Sequence, residues 1–350
     1  MRSVHDFGAT GKGEVDDTAA IQHAVDQHAG QLYFPPGTYK ISQSINMDTS
    51  ATGRASITGS GCTAKVLMTG PGPAFRITGT HGGSAGPETV SAEVWDNERL
   101  PTIQDIEIVG AHDEADGVYL EGVMMCTFAG VLIRKVRHGI HIGNRARNIL
   151  VSHCHIYDNL GIGIFLDHVN LHQVIVVGSH ISYNRLSGIK ILNGQVRNVQ
   201  ITGNDIEYNY DRTNTDAAPP AAEIWIETSG QDATIREGTI AGNTIQSRYS
   251  PGGANIMMIG STEESHRTGM WTVSGNLIGS QETNVKLVGC RAVTVTGNVI
   301  YSGHVRNFLA EDSRNIVVSA NTFDHNPDYL PKELATGVTF RRCTDSILSG

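Results

Sequence analysis

A 25-residue echo constrains this chain more than any other feature. Within residues 148–209, Ile149, Val174 and Val199 recur at that interval, as do Ile156, Ile181 and Ile206, and Asn159, Asn184 and Asn209. A repeat of this length, made of short β-branched runs and Gly/Asn turns, is one coil of a solenoid. Inside each coil the apolar residues alternate, as in Ile162-Gly163-Ile164 and Ile189-Lys190-Ile191. Alternation places every second side chain on one face, which is strand periodicity. The three-to-four spacing of a helical repeat is missing.

The recurring asparagines have a physical reason. Residues that repeat once per coil stack about 4.8 Å apart. A buried Asn amide in such a stack donates to one neighbour, accepts from the other and still bonds turn backbone. A second column runs Asn204, Asn243, Asn276, Asn298, Asn321, preceded by Cys154 and Ser179. Its intervals lengthen to 39 and 33 residues, then return to 22 and 23. The long intervals are expected to hold loops inserted at coil corners.

Composition narrows the classes. The chain has 350 residues, 40 of them glycine, with 17% charged. A solenoid grows by adding coils, so a single domain is expected, with residues 1–45 as an N-terminal cap and 46–350 as coils. Net charge −9 argues against nucleic acid or an anionic membrane as partner. An anionic polysaccharide held by a local basic patch remains compatible. The five cysteines are scattered, without CxxC or zinc spacing, so no disulfide framework is expected and Cys154 is read as a packed interior residue. No apolar run reaches the roughly 18 residues of a membrane-spanning helix. A secreted or periplasmic location is expected if a leader preceded this chain, and a cytoplasmic one otherwise.

At the N-terminus, Asp16, Asp17 and Thr18 are candidate helix caps, and Ala20, Ile21, Ala24 and Val25 form a helical stripe. This helix is expected to cover the first coil, whose strand edges are otherwise open. Gly8, Gly11 and Gly13 flank Lys12 without the order of a phosphate-binding loop. Asp6-Phe7-Gly8-Ala9, Asp16-Asp17-Thr18, Ala20-Ile21-Gln22 and Phe34-Pro35-Pro36-Gly37-Thr38-Tyr39 resemble the N-terminal region of the pectate-lyase-like right-handed parallel β-helix superfamily. That group includes pectate lyases, polygalacturonase-type hydrolases, mannuronan epimerases and tailspike depolymerases. The resemblance implies an all-β, right-handed parallel β-helix with an N-terminal helical cap. It does not choose a reaction. Asn214-Thr215-Asp216 is similar to one hydrolase motif but stands in a loop, and the Asp-Asp and Gly-His-Gly that accompany it are missing. Asp167-His168 lacks the proline of the epimerase Asp-Pro-His.

The interior of such a fold is filled, so ligands bind on an outer sheet face between loops. Excursions are expected near 80–101, 208–221 and 247–253. Aligning one strand per coil gives an outward column Tyr119, His141, Gly163, Lys190, Trp225, Met257, Lys286, flanked by Glu121, Phe165, Asp167, Glu223 and Glu227. Trp225 is expected to stack a sugar ring, with Tyr119, Phe165, His141, His168, Asp211, Arg212 and Asp216 as further substrate contacts. Asp167 with Glu223 or Glu227 is the expected acid/base pair of a glycoside hydrolase, since two carboxyls about 6.5–9.5 Å apart can act with a water between them. The alternative is β-elimination or C5 epimerisation of a uronate, for which Lys190, His141, His168 and Arg212 are candidates. A third reading is a non-catalytic glycan-binding or structural β-helix, with a homotrimer in view. The column His155, His180, Asp205 could hold a metal or relay protons, though stacked surface histidines are more often structural. No run of outward aspartates is visible, so no cofactor is expected, with Ca²⁺ relevant only to a lyase. The expected partner is a polysaccharide or oligosaccharide.

Overall fold

The structure is a computed structural model that describes residues 2–27, 31–83, 86–213, 219–230, 232–264, 267–328 and 337–350. It divides into two compact units, Met1–Ile175 and Val176–Gly350.

In the first unit, each turn of chain lays one strand in register on the last. Ala115–Glu121 pairs parallel with Gly72–Thr78 on one side and with Ile140–Ser152 on the other, matching Phe75 with Val118 and Val118 with Ile140. A second parallel sheet stacks Val66, Ile108, Ile133 and Ile156 in one column. All of these side chains are fully buried. The expected helix spans Thr18–Asp26 and buries Ile21, Ala24 and Val25. Asp17 precedes it, but its carboxylate accepts from Thr10 N (2.7 Å) and Gly11 N (3.1 Å) instead of capping the helix.

The second unit repeats the scheme. Ser187–Leu192, Ala222–Glu227, Ala254–Ile259, Thr283–Val288 and Arg306–Glu311 stack Ile189, Ile224, Ile256, Val285 and Phe308 inward. The asparagine column runs as the spacing implied. Asn204 Nδ2 donates to Asn243 Oδ1 (3.0 Å), Asn243 Nδ2 to Asn276 Oδ1 (2.9 Å), Asn276 Nδ2 to Asn298 Oδ1 (2.9 Å) and Asn298 Nδ2 to Asn321 Oδ1 (2.9 Å). Each amide also donates to a carbonyl one coil back, as Asn276 does to Ile240 O (3.0 Å). These distances hold although the intervals are 39, 33, 22 and 23 residues. The extra length leaves at corners and does not disturb the stack.

Glu223 overturns one expectation. It was placed beside the outward column, yet it is fully buried. The strand Ala222–Glu227 alternates only from Ile224 onward, and its first residues turn inward at the corner. There Glu223 accepts from Asn209 N (2.9 Å) and from Asn209 Nδ2, ending the stack in which Asn184 Nδ2 donates to Asn209 Oδ1 (2.7 Å). Burial pushes its carboxyl up to about 8. Opposite it in register stands Asn255, whose buried Oδ1 accepts no hydrogen bond among the described groups. A neutral carboxylic acid at this position has a proton to offer.

Two stability predictions follow from these columns. Asn276→Ala removes two donors and an acceptor from a buried network and is expected to cost about 2–5 kcal/mol in denaturant unfolding. An unfolded Glu223 loses its proton near the ordinary value of 4.5, while the folded chain keeps it to about 8. Between those values the folded state binds the extra proton, so this group's stabilisation is complete below the window and is lost as pH rises through it. Glu223→Gln is expected to fold and to flatten that decline. An unchanged pH slope would show that Glu223 is ionised in the fold.

Candidate functional site

The outer face of the first unit gathers a compact polar and aromatic cluster. Its rungs follow from strand register: Arg76 pairs with Tyr119, and Tyr119 with His141. The Arg76 guanidinium lies 4.7 Å from the centroid of the Tyr119 ring. Tyr119 meets His141 edge-on at 5.2 Å, and His141 stacks on Phe165 at 5.0 Å and 19°. Phe165 therefore takes the column position that the sequence alignment assigned to Gly163.

Two carboxylates organise the hydrogen bonds. Asp167 Oδ2 is 3.2 Å from His141 Nε2, and its Oδ1 is 2.6 Å from His168 Nδ1. Glu121 Oε2 accepts from the Tyr119 hydroxyl (3.0 Å), and Oε1 accepts from Asn144 Nδ2 (2.7 Å). Burial, then the bond to Glu121, pushes the Tyr119 phenol up to about 12. Tyr119 is thus a neutral proton donor at ordinary pH. Gly143 follows Ile142, the partner of Leu120, on the strand between the two carboxylates, and the Tyr119 ring lies over it. A Cβ there would lie 2.8 Å from the Tyr119 hydroxyl oxygen. His138 packs behind, 5.7 Å from His141. Burial holds it down to about 4, and its Nδ1 accepts from Ile162 N (3.2 Å), so it is neutral with the proton on Nε2.

The expected residues of the second unit are arranged differently. Lys190 Nζ sits 3.6 Å above the centre of the Trp225 ring and 3.7 Å from Glu227 Oε2. The ring face expected to stack a sugar is covered by this ammonium. Trp225 packs against Ala222, Ala254 and Met257. Asp211 turns back on its own loop, accepting from Thr213 N (2.9 Å) and Thr213 Oγ1 (2.6 Å). Arg212 stacks on Tyr183 at 4.7 Å, next to the other sheet's strand His180–Ser182 and not on the Trp225 strand. Asp216 lies outside the described residues. In the proposed metal column, His180 Nε2 is 3.4 Å from Asp205 Oδ2. Among the described residues, no three His, Cys, Asp or Glu side chains are placed to hold a metal ion.

Several participants were missed in the sequence. Arg76 belongs to a strand that the column did not include. Glu121 was noted beside it but given no role. Outside the cluster, on the second unit's strand Asp205–Glu207, Glu207 is pushed up to about 7 by burial and by the neighbouring Asp205. Its only sequence signal was its position two residues beyond a column already read.

Stacked coils, each adding one strand to parallel sheets, define a right-handed parallel β-helix. In fold the protein resembles the pectate-lyase-like group. Residues 1–71 match the family model of rhamnogalacturonase A/epimerase, pectate lyase-like, and residues 92–262 match that of the right-handed β-helix region. A mannuronan C5-epimerase of Azotobacter vinelandii, AlgE6, is 39% identical over 94 residues, covering 25% of this chain and 11% of that protein. The chain thus matches only a small part of that relative's length. Among solved structures, the Dettilon tailspike protein superposes with a TM-score of 0.69 at 14% identity, over 97% of this chain and 68% of that one. The A-module of the Azotobacter vinelandii epimerase AlgE4 superposes at 0.60 and 15% identity, over 99% and 100%.

The cluster makes a spectroscopic prediction. The Tyr119 phenol, isolated as the difference between the protein and Tyr119→Phe in an ultraviolet pH titration, is expected to ionise near 12. Glu121→Gln should bring that midpoint down, because the carboxylate charge that favours the neutral phenol is gone. An unmoved midpoint would rule out the Tyr119–Glu121 bond.

Proposed function

We propose that this protein acts on an acidic polysaccharide by acid/base proton transfer, with the reacting sugar on the His141–Tyr119 face of the first unit. The observation that carries the reading is the way both carboxylates are engaged. Asp167 is taken up by two histidines, and Glu121 by Tyr119 and Asn144. A carboxylate that grips an imidazole orients it as a proton acceptor, so His141 and Tyr119 are the groups left for chemistry. In a uronate, His141 would remove the proton on C5, and the electron pair would pass into the sugar's carboxyl group. Tyr119 would return a proton, either to the opposite face of C5, giving the epimer, or to the O4 leaving oxygen, giving an unsaturated sugar. Arg76 is placed to neutralise the carboxyl group while it carries the extra charge. The likeness to proteins named mannuronan C5-epimerases supports this reading.

A hydrolase reading keeps one specific support. Glu121 and Asp167 lie on strands two coil steps apart, about 10 Å in backbone terms, with Gly143 between them. Their carboxyls could span the roughly 6.5–9.5 Å of an inverting pair.

One experiment separates the two. Polymannuronate is incubated in D₂O, and deuterium at C5, unsaturated-product absorbance and new reducing ends are followed together. Deuterium or absorbance is the expected outcome, and His141→Ala and Asp167→Asn should each lower it by about 10²-fold or more. New reducing ends without either signal would overturn proton abstraction and favour the carboxylate pair.

A further inference from the structure

The second unit carries a row of arginines that the cluster above does not use. Strand register aligns Arg197 with Arg236, Arg236 with Gly269, Gly269 with Arg291, and Arg291 with Arg314. Four guanidinium groups thus share one column at steps of about 4.8 Å, with one gap at Gly269. The gap is enforced, because a Cβ at Gly269 would lie 1.9 Å from Arg291 O. Like charges in adjacent rungs repel, and here they recur in a chain of net charge −9.

The row is not neutralised from within. Arg197 spends its bonds on neutral acceptors, donating to Val196 O (2.8 Å), Thr234 O (2.7 Å) and Thr234 Oγ1 (2.7 Å). The Arg236 Nε donor is buried and meets no acceptor among the described residues. Among the described residues, no Asp or Glu oxygen comes within 4.0 Å of the four arginines. Glu237 is the nearby acid, and it is exposed, one residue past the column. Arg197, Arg236 and Arg291 are half-buried and Arg314 is exposed, so part of each residue meets solvent.

We propose that this arginine column is a docking track for an acidic polysaccharide chain laid along the stacking direction, one sugar carboxylate meeting one guanidinium. A guanidinium fork matches a carboxylate in two parallel hydrogen bonds, and a regular row of them matches a polymer with one carboxylate per sugar. The choice of a polyuronate rests on the proposed function.

Arg291 and Arg314 are the residues to change, because neither makes a side-chain hydrogen bond among the described contacts. Calorimetric titration with polymannuronate and with a neutral mannan across a salt series is the test. The Arg291→Gln/Arg314→Gln variant should bind polymannuronate about tenfold or more weakly. Its slope of log K against log salt should fall by about 1.5, near 0.7–0.9 per lost charge contact. The Arg291→Lys/Arg314→Lys variant should recover most of the salt slope but not all of the affinity. Unchanged polymannuronate binding by the Gln variant overturns the track, as does arginine-dependent binding of a DNA duplex at equal strength. If the variant binds normally while polymannuronate is still converted, the track fails and the function stands. Arginine-dependent binding without conversion is the reverse.

Discussion

The asparagine amide stack is the interaction on which the second unit depends. A β solenoid must turn a corner in every coil, and a corner leaves backbone groups that no sheet can pair. Asn is short enough to stand inside the corner and has both donor and acceptor. The stack from Asn204 to Asn321 therefore does two jobs at once: it satisfies corner backbone and it links each coil to the next. Leaving one member out would strand buried partners above and below, which costs more than the bond itself contributes.

In the first unit, parallel register alone builds the outer face. Tyr119, His141 and Phe165 meet because parallel register holds their strands at fixed steps, not because a loop gathers them. The hydrogen bonds then come from second partners. Asp167 sets the orientation of two histidines, and Glu121 that of a phenol. His141 and Tyr119 each have their own carboxylate, and Gly143 lies on the strand between those carboxylates.

The repeat, the strand period and the asparagine columns were legible in the sequence because each is a pattern along the chain. The site was legible in part. His141, Asp167, Tyr119, Phe165 and His168 do come together in one cluster. Gly163 was put where Phe165 stands because a shift of two residues keeps every apolar side chain facing inward, so hydrophobic pattern alone cannot detect it. Glu223 was misread for a related reason. It shares the parity of Trp225 and Glu227, but the strand has not yet straightened where it begins. Its alignment with Asn255 and Asn284 was the available signal, since a position filled by buried asparagines in the next coils is an interior one. That Lys190 covers Trp225 could not be read, because alternation gives the side of the sheet and not the direction in which a long side chain lies.

The amide stack has a direction as well as a spacing. From Asn204 to Asn298 each side-chain amide accepts from the earlier coil and donates one N–H to the later one, and so does Asn209 between Asn184 and Glu223. Aligned amides add their dipoles as the peptide groups of a helix do, and neighbours in such a chain polarise one another. Each stack therefore has a positive pole at its later end. Glu223, a fully buried acidic group, sits at such a pole. The polarity of the solenoid axis makes an oxygen acceptor favourable there, whereas the same carboxyl at the opposite end of the stack would face oxygen.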